Sequence, residues 1–215
     1  MAPSSDFPLL ALLGLRLKGF AEASVIAQLL SCTGAEVSAD DVHAALVTAA
    51  ESDFAVLREG RMSGWTLTAA GRIENERLLS DELDAAGART VVAGCYQRFL
   101  ALNGEMLAVC TAWQVKNVEA NELNDHSDAE YDAGVIAELA RIDGEVQPIV
   151  AELVAALDRF AWYPERFRSA LAKVQAGETE WFTKPIMESY HTVWFELHED
   201  LLATLGIDRA TEGSH

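Results

Sequence analysis

The chain has 215 residues, half of them hydrophobic, with 16 Lys and Arg against 34 Asp and Glu and a formal net charge of −18. That length and apolar fraction exclude a disordered chain and leave room for one large or two small domains around a buried core. The acidic excess repels a phosphate backbone at long range, so any duplex binding has to come from a local basic patch.

Cys32, Cys95 and Cys110 are too scattered for a disulfide framework or a CxxC zinc pair, and they read as buried free thiols of a cytoplasmic protein. The apolar stretch Leu9–Phe20 carries Arg16 and Lys18 and is too short to span a bilayer. It reads as the first helix, from about Pro8 to Gly19, and not as a signal peptide or membrane anchor. A second helix is expected from about Glu22 to Ser31, closed by Thr33-Gly34. Ser38-Ala39-Asp40-Asp41 has the form of a capping box and opens a third helix, about Ala39 to Ser52. Val42, Ala45, Leu46 and Ala49 form its apolar face, and Asp40, His43, Ala44, Val47, Thr48 and Glu51 its outward face. No Lys or Arg lies on this helix, although arginine dominates known contacts to guanine and phosphate.

The apolar runs at 54–58 and 64–68 flank a tip containing Arg58, Gly60, Arg61 and Gly64, the pattern of a β-hairpin. Thr68 is placed to cap the helix that follows, which runs to about Asp84 and carries Arg72 in its first turn. Helix, helix, helix, hairpin and helix in that order is the plan of a winged helix-turn-helix, expected over residues 1–86. With Leu67-Thr68-x-x-Gly71-Arg72 in place after the second strand, residues 8–86 resemble the winged-helix transcriptional regulators of the MarR and PadR type. The resemblance implies a homodimer that binds double-stranded DNA. It places Ser38, His43 and Thr48 at the major groove, Arg58 and Arg61 on the wing, and Arg72 beside them. The charge is unhelpful even there: residues 1–85 hold six basic and thirteen acidic side chains, and the remainder ten and twenty-one.

A second, α-helical domain is expected over 87–212, for dimerisation or effector binding; Gly213-Ser214-His215 reads as an expression-tag remnant. From Ala88 to Val115 the period is helical, with Tyr96, Phe99, Asn103, Met106, Leu107, Cys110 and Trp113 on one stripe. Lys116–Asp128 reads as a loop. Ser127-Asp128-Ala129-Glu130 is a second capping-box pattern, opening a helix towards Phe160 with a kink near Gly144 and Pro148. A shorter helix follows Pro164, and a last one is expected from Lys184 to Leu205 with Pro185 in its first turn. The Cys110–Gln114 and Tyr190–Asp200 blocks are similar to those of uncharacterised predicted regulators of high-GC Gram-positive bacteria.

Four of the five Trp and all four Tyr lie in this second half. Asn103, Trp113, His126, His191, Trp194 and His198 are the candidate ligand-binding residues, large aromatics with a few interior polar groups as a pocket between helices requires. The competing reading is an ordinary helical core. Glu188 and His191 have the E-x-x-H spacing of di-iron bundles, but no second such pair exists. Asn124, His126 and Asp128 start like a calcium loop, yet Ala129 and Val135 occupy the positions that need Gly and Glu. No metal, cofactor or catalytic residue is therefore assigned. On the last helix Ile186, Tyr190, Val193, Trp194, Leu197 and Leu201 form a core stripe, widened by His191, Phe195, His198 and Leu202 into an arc that suits a second contact surface. The expected function is a cytoplasmic, mainly α, homodimeric regulator that binds DNA through the winged helix under control of a small effector. The alternative is a winged-helix protein–protein interaction module that does not bind DNA.

Overall fold

Eight helices of two turns or more, two short helical segments and two small hairpins are the regular elements of the computed structural model, which describes residues 5–34, 36–117, 119–120 and 122–208. The chain is mostly helical, as its periodicity predicts. It divides into two compact units, one drawn from Met1–Ala93, Leu153–Trp162 and Glu196–His215, the other from Gly94–Glu152 and Tyr163–Phe195. The 213–215 stretch lies outside the described residues. No described helix is long and apolar enough to cross a membrane.

In the first unit α1 (Phe7–Lys18) has Pro in its first turn and ends on Gly19, whose positive φ of 69° and N–H bond to the Leu15 carbonyl close the last turn. Seven of its residues are buried, so α1 is apolar nearly all round and lies at the centre of the unit, against α2 (Ala23–Ser31), α3 (Ala39–Glu51) and α4 (Ala69–Ala85). Between α3 and α4, β1 (Ala55–Arg58) and β2 (Gly64–Leu67) pair antiparallel, with Leu57 opposite Trp65 and Arg58 opposite Gly64. The strands fall within one residue of the sequence expectation. One further antiparallel bridge, Ala21 to Trp65, ties the hairpin to the connection between α1 and α2. Both expected caps form: Ser38 closes a reciprocal box with Asp41, and the Thr68 hydroxyl accepts from the Gly71 N–H at 2.9 Å. The 3-10 turn Asp158–Trp162 adds Phe160 and Trp162 to this unit's core.

The second unit packs α5 (Arg89–Gln114, from Gly94 onward), α6 (Ala129–Ala156, to Glu152), α7 (Tyr163–Gln175), α8 (Glu180–Thr183) and the start of α9 (Tyr190–Leu205). Tyr96, Phe99, Met106, Cys110 and Trp113 are buried along α5, and Leu139, Ile142, Val146 and Val150 along α6. Leu107, placed on that stripe by the period, is 40% exposed.

Four expectations are corrected here. The 116–128 segment is not wholly a loop: β3 (Val115–Asn117) and β4 (Glu122–Leu123) form a bulged hairpin. The cap of α6 is Asp128, whose Oδ1 accepts from the Tyr131 N–H, whereas Ser127 bonds back to Asp125. The last helix begins at Tyr190 and not at Lys184, with Ile186 at φ 64° and fully exposed; Ser189, not Pro185, supplies the cap by accepting from the Thr192 N–H. Cys32 is exposed, while Cys95 and Cys110 are buried, and burial pushes the Cys110 thiol up to about 12.

Candidate functional site

Helix α3 presents the outward face expected of it, with its hydroxyls already engaged. The Ser38 hydroxyl and backbone N–H both donate to Asp41 Oδ2, at 2.5 and 3.1 Å, which holds the Asp41 carboxyl below its ordinary range, while the hydroxyl accepts from the Asp41 N–H. The Thr48 hydroxyl donates to the Ala44 carbonyl at 3.1 Å. His43 is exposed and meets the Trp65 ring edge-on at 5.7 Å. Asp40, Asp41 and Glu51 surround these groups on the exposed side, with Val47 between them.

The hairpin has the opposite character. Arg58, Arg61 and Arg72 are all exposed. Among the described residues they are the three Lys or Arg side chains that make neither an ion pair nor a ring contact. The other twelve are occupied, by carboxylates in eleven cases and in that of Lys173 by the Trp181 ring. Beside Arg58, on the same face of the hairpin, the Phe20 ring covers Gly64 so closely that a Cβ there would meet it at 2.6 Å. The structure thus leaves positive charge uncompensated at the hairpin and the first turn of α4.

The six candidate ligand-binding residues fall into separate local arrangements. Asn103 and Trp194 are both buried, and the indole N–H donates to Asn103 Oδ1 at 2.9 Å while Phe99 stacks on the ring at 4.6 Å. Trp113 is buried between His126, at 4.4 Å, and Phe182, at 4.6 Å. His126 sits at φ 60° with its Nδ1 at 3.0 Å from Asp132 Oδ2. The hub of that cluster is Asn124, whose amide donates to the Trp113 carbonyl and to Asp132 and whose Oδ1 accepts from the His126 N–H. Sequence reasoning missed Asp132, six residues beyond His126 and marked by no motif. It also missed the buried Tyr190–Asp143 hydrogen bond of 3.0 Å. Glu188 lies before α9 and pairs with Arg166 at 2.6 Å, so Glu188 and His191 do not share a helical face. Among the described residues no three His, Cys, Asp or Glu could hold a metal ion.

His198 is buried and belongs to the first unit, whereas His191 is half-buried in the second. Burial lowers the His191 pKa from its ordinary 6.5, so the folded state holds the neutral ring. Below about pH 6.5 the unfolded chain takes up a proton that the folded one resists, and stability falls with acidification, by at most about 1.4 kcal/mol per pH unit for one group. We expect His191→Gln to reduce the loss of melting temperature between pH 7 and pH 5. A variant with the wild-type slope would show that His191 contributes none of it.

Two clefts stand clear of the six candidate ligand-binding side chains. One of about 530 Å³ runs between α5 and α6 over Val109, Ala112, Tyr131 and Val135, with Glu105, Glu130 and Glu138 at its rim. The other, of about 320 Å³, lies in the first unit between α1, α3 and α4. No family model, curated protein or solved structure matches the chain.

Proposed function

We propose that the first unit is a winged-helix DNA-binding module of a cytoplasmic, homodimeric transcriptional regulator, contacting the duplex through its hairpin more than through α3. The order α1-α2-α3-β1-β2-α4 and the Ala21–Trp65 bridge support the winged-helix reading. The observation that carries the DNA reading is the group of three uncompensated arginines on the hairpin and α4, in a chain whose other described cations are occupied. Phosphate contacts need such charge. The dimer draws support from Phe195, which is 46% exposed on α9.

A second reading, a protein-interaction module, is favoured by the acidic face of α3 with Val47 exposed at its middle. Duplex binding at about 50 mM salt, followed by fluorescence anisotropy, separates the two, with light scattering on the same samples for the dimer. For a DNA-binding module Arg58→Ala with Arg61→Ala should weaken binding to every sequence and flatten the salt slope by about two. If the wild type binds no duplex, or the double variant binds as well as it does, the hairpin reading fails and the interaction module replaces it.

A further inference from the structure

Phe20 lies on the short connection between α1 and α2, which runs antiparallel beside β2. The Ala21 N–H donates to the Trp65 carbonyl at 3.1 Å, the Trp65 N–H donates back to the Ala21 carbonyl at 2.7 Å, and the Thr66 hydroxyl donates to the Gly19 carbonyl at 3.0 Å. The backbone on either side of Phe20 is thereby fixed to the hairpin. Its ring is seated as well. A Cβ on Gly64 would lie 2.6, 2.8 and 3.0 Å from Cζ, Cε1 and Cε2, close to equidistant from three ring atoms, which places the ring face-on over the glycine. Gly64 does not take a positive φ, so glycine is required there for space and not for conformation. Phe20 is nevertheless 41% exposed, and with one face covered by Gly64 that exposure belongs to the opposite face and the edge.

Arg58 is the cross-strand partner of Gly64, on the same face of the hairpin, and it is one of the three described cations with neither an ion pair nor a ring contact. An open aromatic face beside an uncompensated guanidinium suits an anionic partner that also offers planar apolar surfaces. A closed duplex supplies the charge but buries its base faces in its own stack, whereas a strand with unpaired bases supplies both. We infer that Phe20 is a stacking platform for an unpaired nucleobase, with Arg58 on the adjoining phosphate, so that the hairpin prefers a duplex end carrying a single-stranded overhang to a closed duplex. The inference rests on the reading of the hairpin arginines as phosphate contacts.

Fluorescence anisotropy at low salt compares the affinity of the full chain for a blunt duplex, the same duplex with a short thymidine overhang, and the same duplex with an abasic overhang of equal length. The two overhangs carry the same phosphates, so a difference between them reports the base alone. The thymidine overhang should bind about tenfold more tightly than the abasic one, the worth of one stacked base. Phe20→Leu should bring the two together, and Phe20→Tyr, which keeps the ring, should keep them apart. Equal wild-type affinity for thymidine and abasic overhangs, or a preference that survives Phe20→Leu, overturns the inference; if the blunt duplex is still bound, the arginine reading stands without it. A preference for the thymidine overhang with no binding of the blunt duplex upholds the platform and removes the closed duplex from the proposed function. No binding of any of the three probes overturns both.

Discussion

Arg159→Ala is expected to destabilise the protein by about 3–5 kcal/mol, because it strips the cation from between the fully buried Asp200 carboxylate and the largely buried one of Glu82. Arg159 is 1% exposed. Its Nε donates to Glu82 at 2.8 Å, Nη1 to Asp200 at 2.6 Å and Nη2 to the Thr204 hydroxyl at 2.7 Å, while the Phe160 ring lies 4.4 Å from its guanidinium carbon. The two carboxylates offset desolvation and keep the guanidinium charged. Without it, Asp200 and Glu82 would face one another in low dielectric, where a like-charged pair is unfavourable. Chemical denaturation at neutral pH measures the loss. Arg159→Lys should fall between, since an ammonium cannot reproduce the planar fork. Replacing Arg159, Glu82 and Asp200 together by apolar residues should cost far less than the single change. A loss below about 1 kcal/mol for Arg159→Ala would mean that the pair is not buried in solution.

Gly71→Ala should cost about 3 kcal/mol, at the upper end of overpacking, although alanine is the better helix former. A Cβ on Gly71 would lie 1.8 Å from the Phe54 carbonyl oxygen and 2.7 Å from its carbon, both backbone atoms that no rotamer change can move aside. Nor is that carbonyl free to retreat. It accepts from the Thr68 N–H at 3.1 Å, while the Thr68 hydroxyl donates to the neighbouring Asp53 carbonyl at 2.5 Å. Gly94→Ala in α5 is the control, because nothing lies within 4 Å of a Cβ there. It should gain about 0.5–1 kcal/mol. Thermal melts of the two variants should move in opposite directions, and equal shifts would remove the close-approach argument.

Those two residues explain why the Leu-Thr-x-x-Gly run was legible in the sequence: Thr68 caps α4, and Gly71 lets α4 start against the end of the α3–β1 turn. Short-range signals of this kind located the hairpin and the Ser38 box. They failed at the last helix, where Pro185 satisfied the first-turn rule, yet the chain runs non-helically through Ile186 at φ 64° to a cap at Ser189. A proline permits a helix start without requiring one. The exposure of Arg58 and Arg61 followed from the hairpin pattern, but their lack of partners did not. Ion pairing is decided by residues far along the chain, as with Arg16 and Glu76, Lys18 and Glu196, or Arg159 and Asp200. The aromatic residues of the second half read as a pocket or a core; Tyr96, Trp113, Trp162, Tyr163, Tyr190 and Trp194 are buried, and the bonds that tie Asn103 to Trp194 and His126 to Asp132 needed the tertiary structure.

The discontinuity of the first unit has a consequence for the order of events during synthesis. Domains ordinarily fold in the order in which they leave the ribosome. Here the first ninety or so residues can form their helices and hairpin and pair Arg16 with Glu76, yet Lys18 waits for Glu196, and Glu82 for an arginine at 159 that itself needs Asp200 and Thr204. The unit that emerges first is thus the one completed last, and until α9 has been translated it carries buried-charge sites with no counter-ion. A nascent chain stalled before residue 196 would hold its N-terminal unit unfinished, open to the proteases and chaperones that sort incomplete folds.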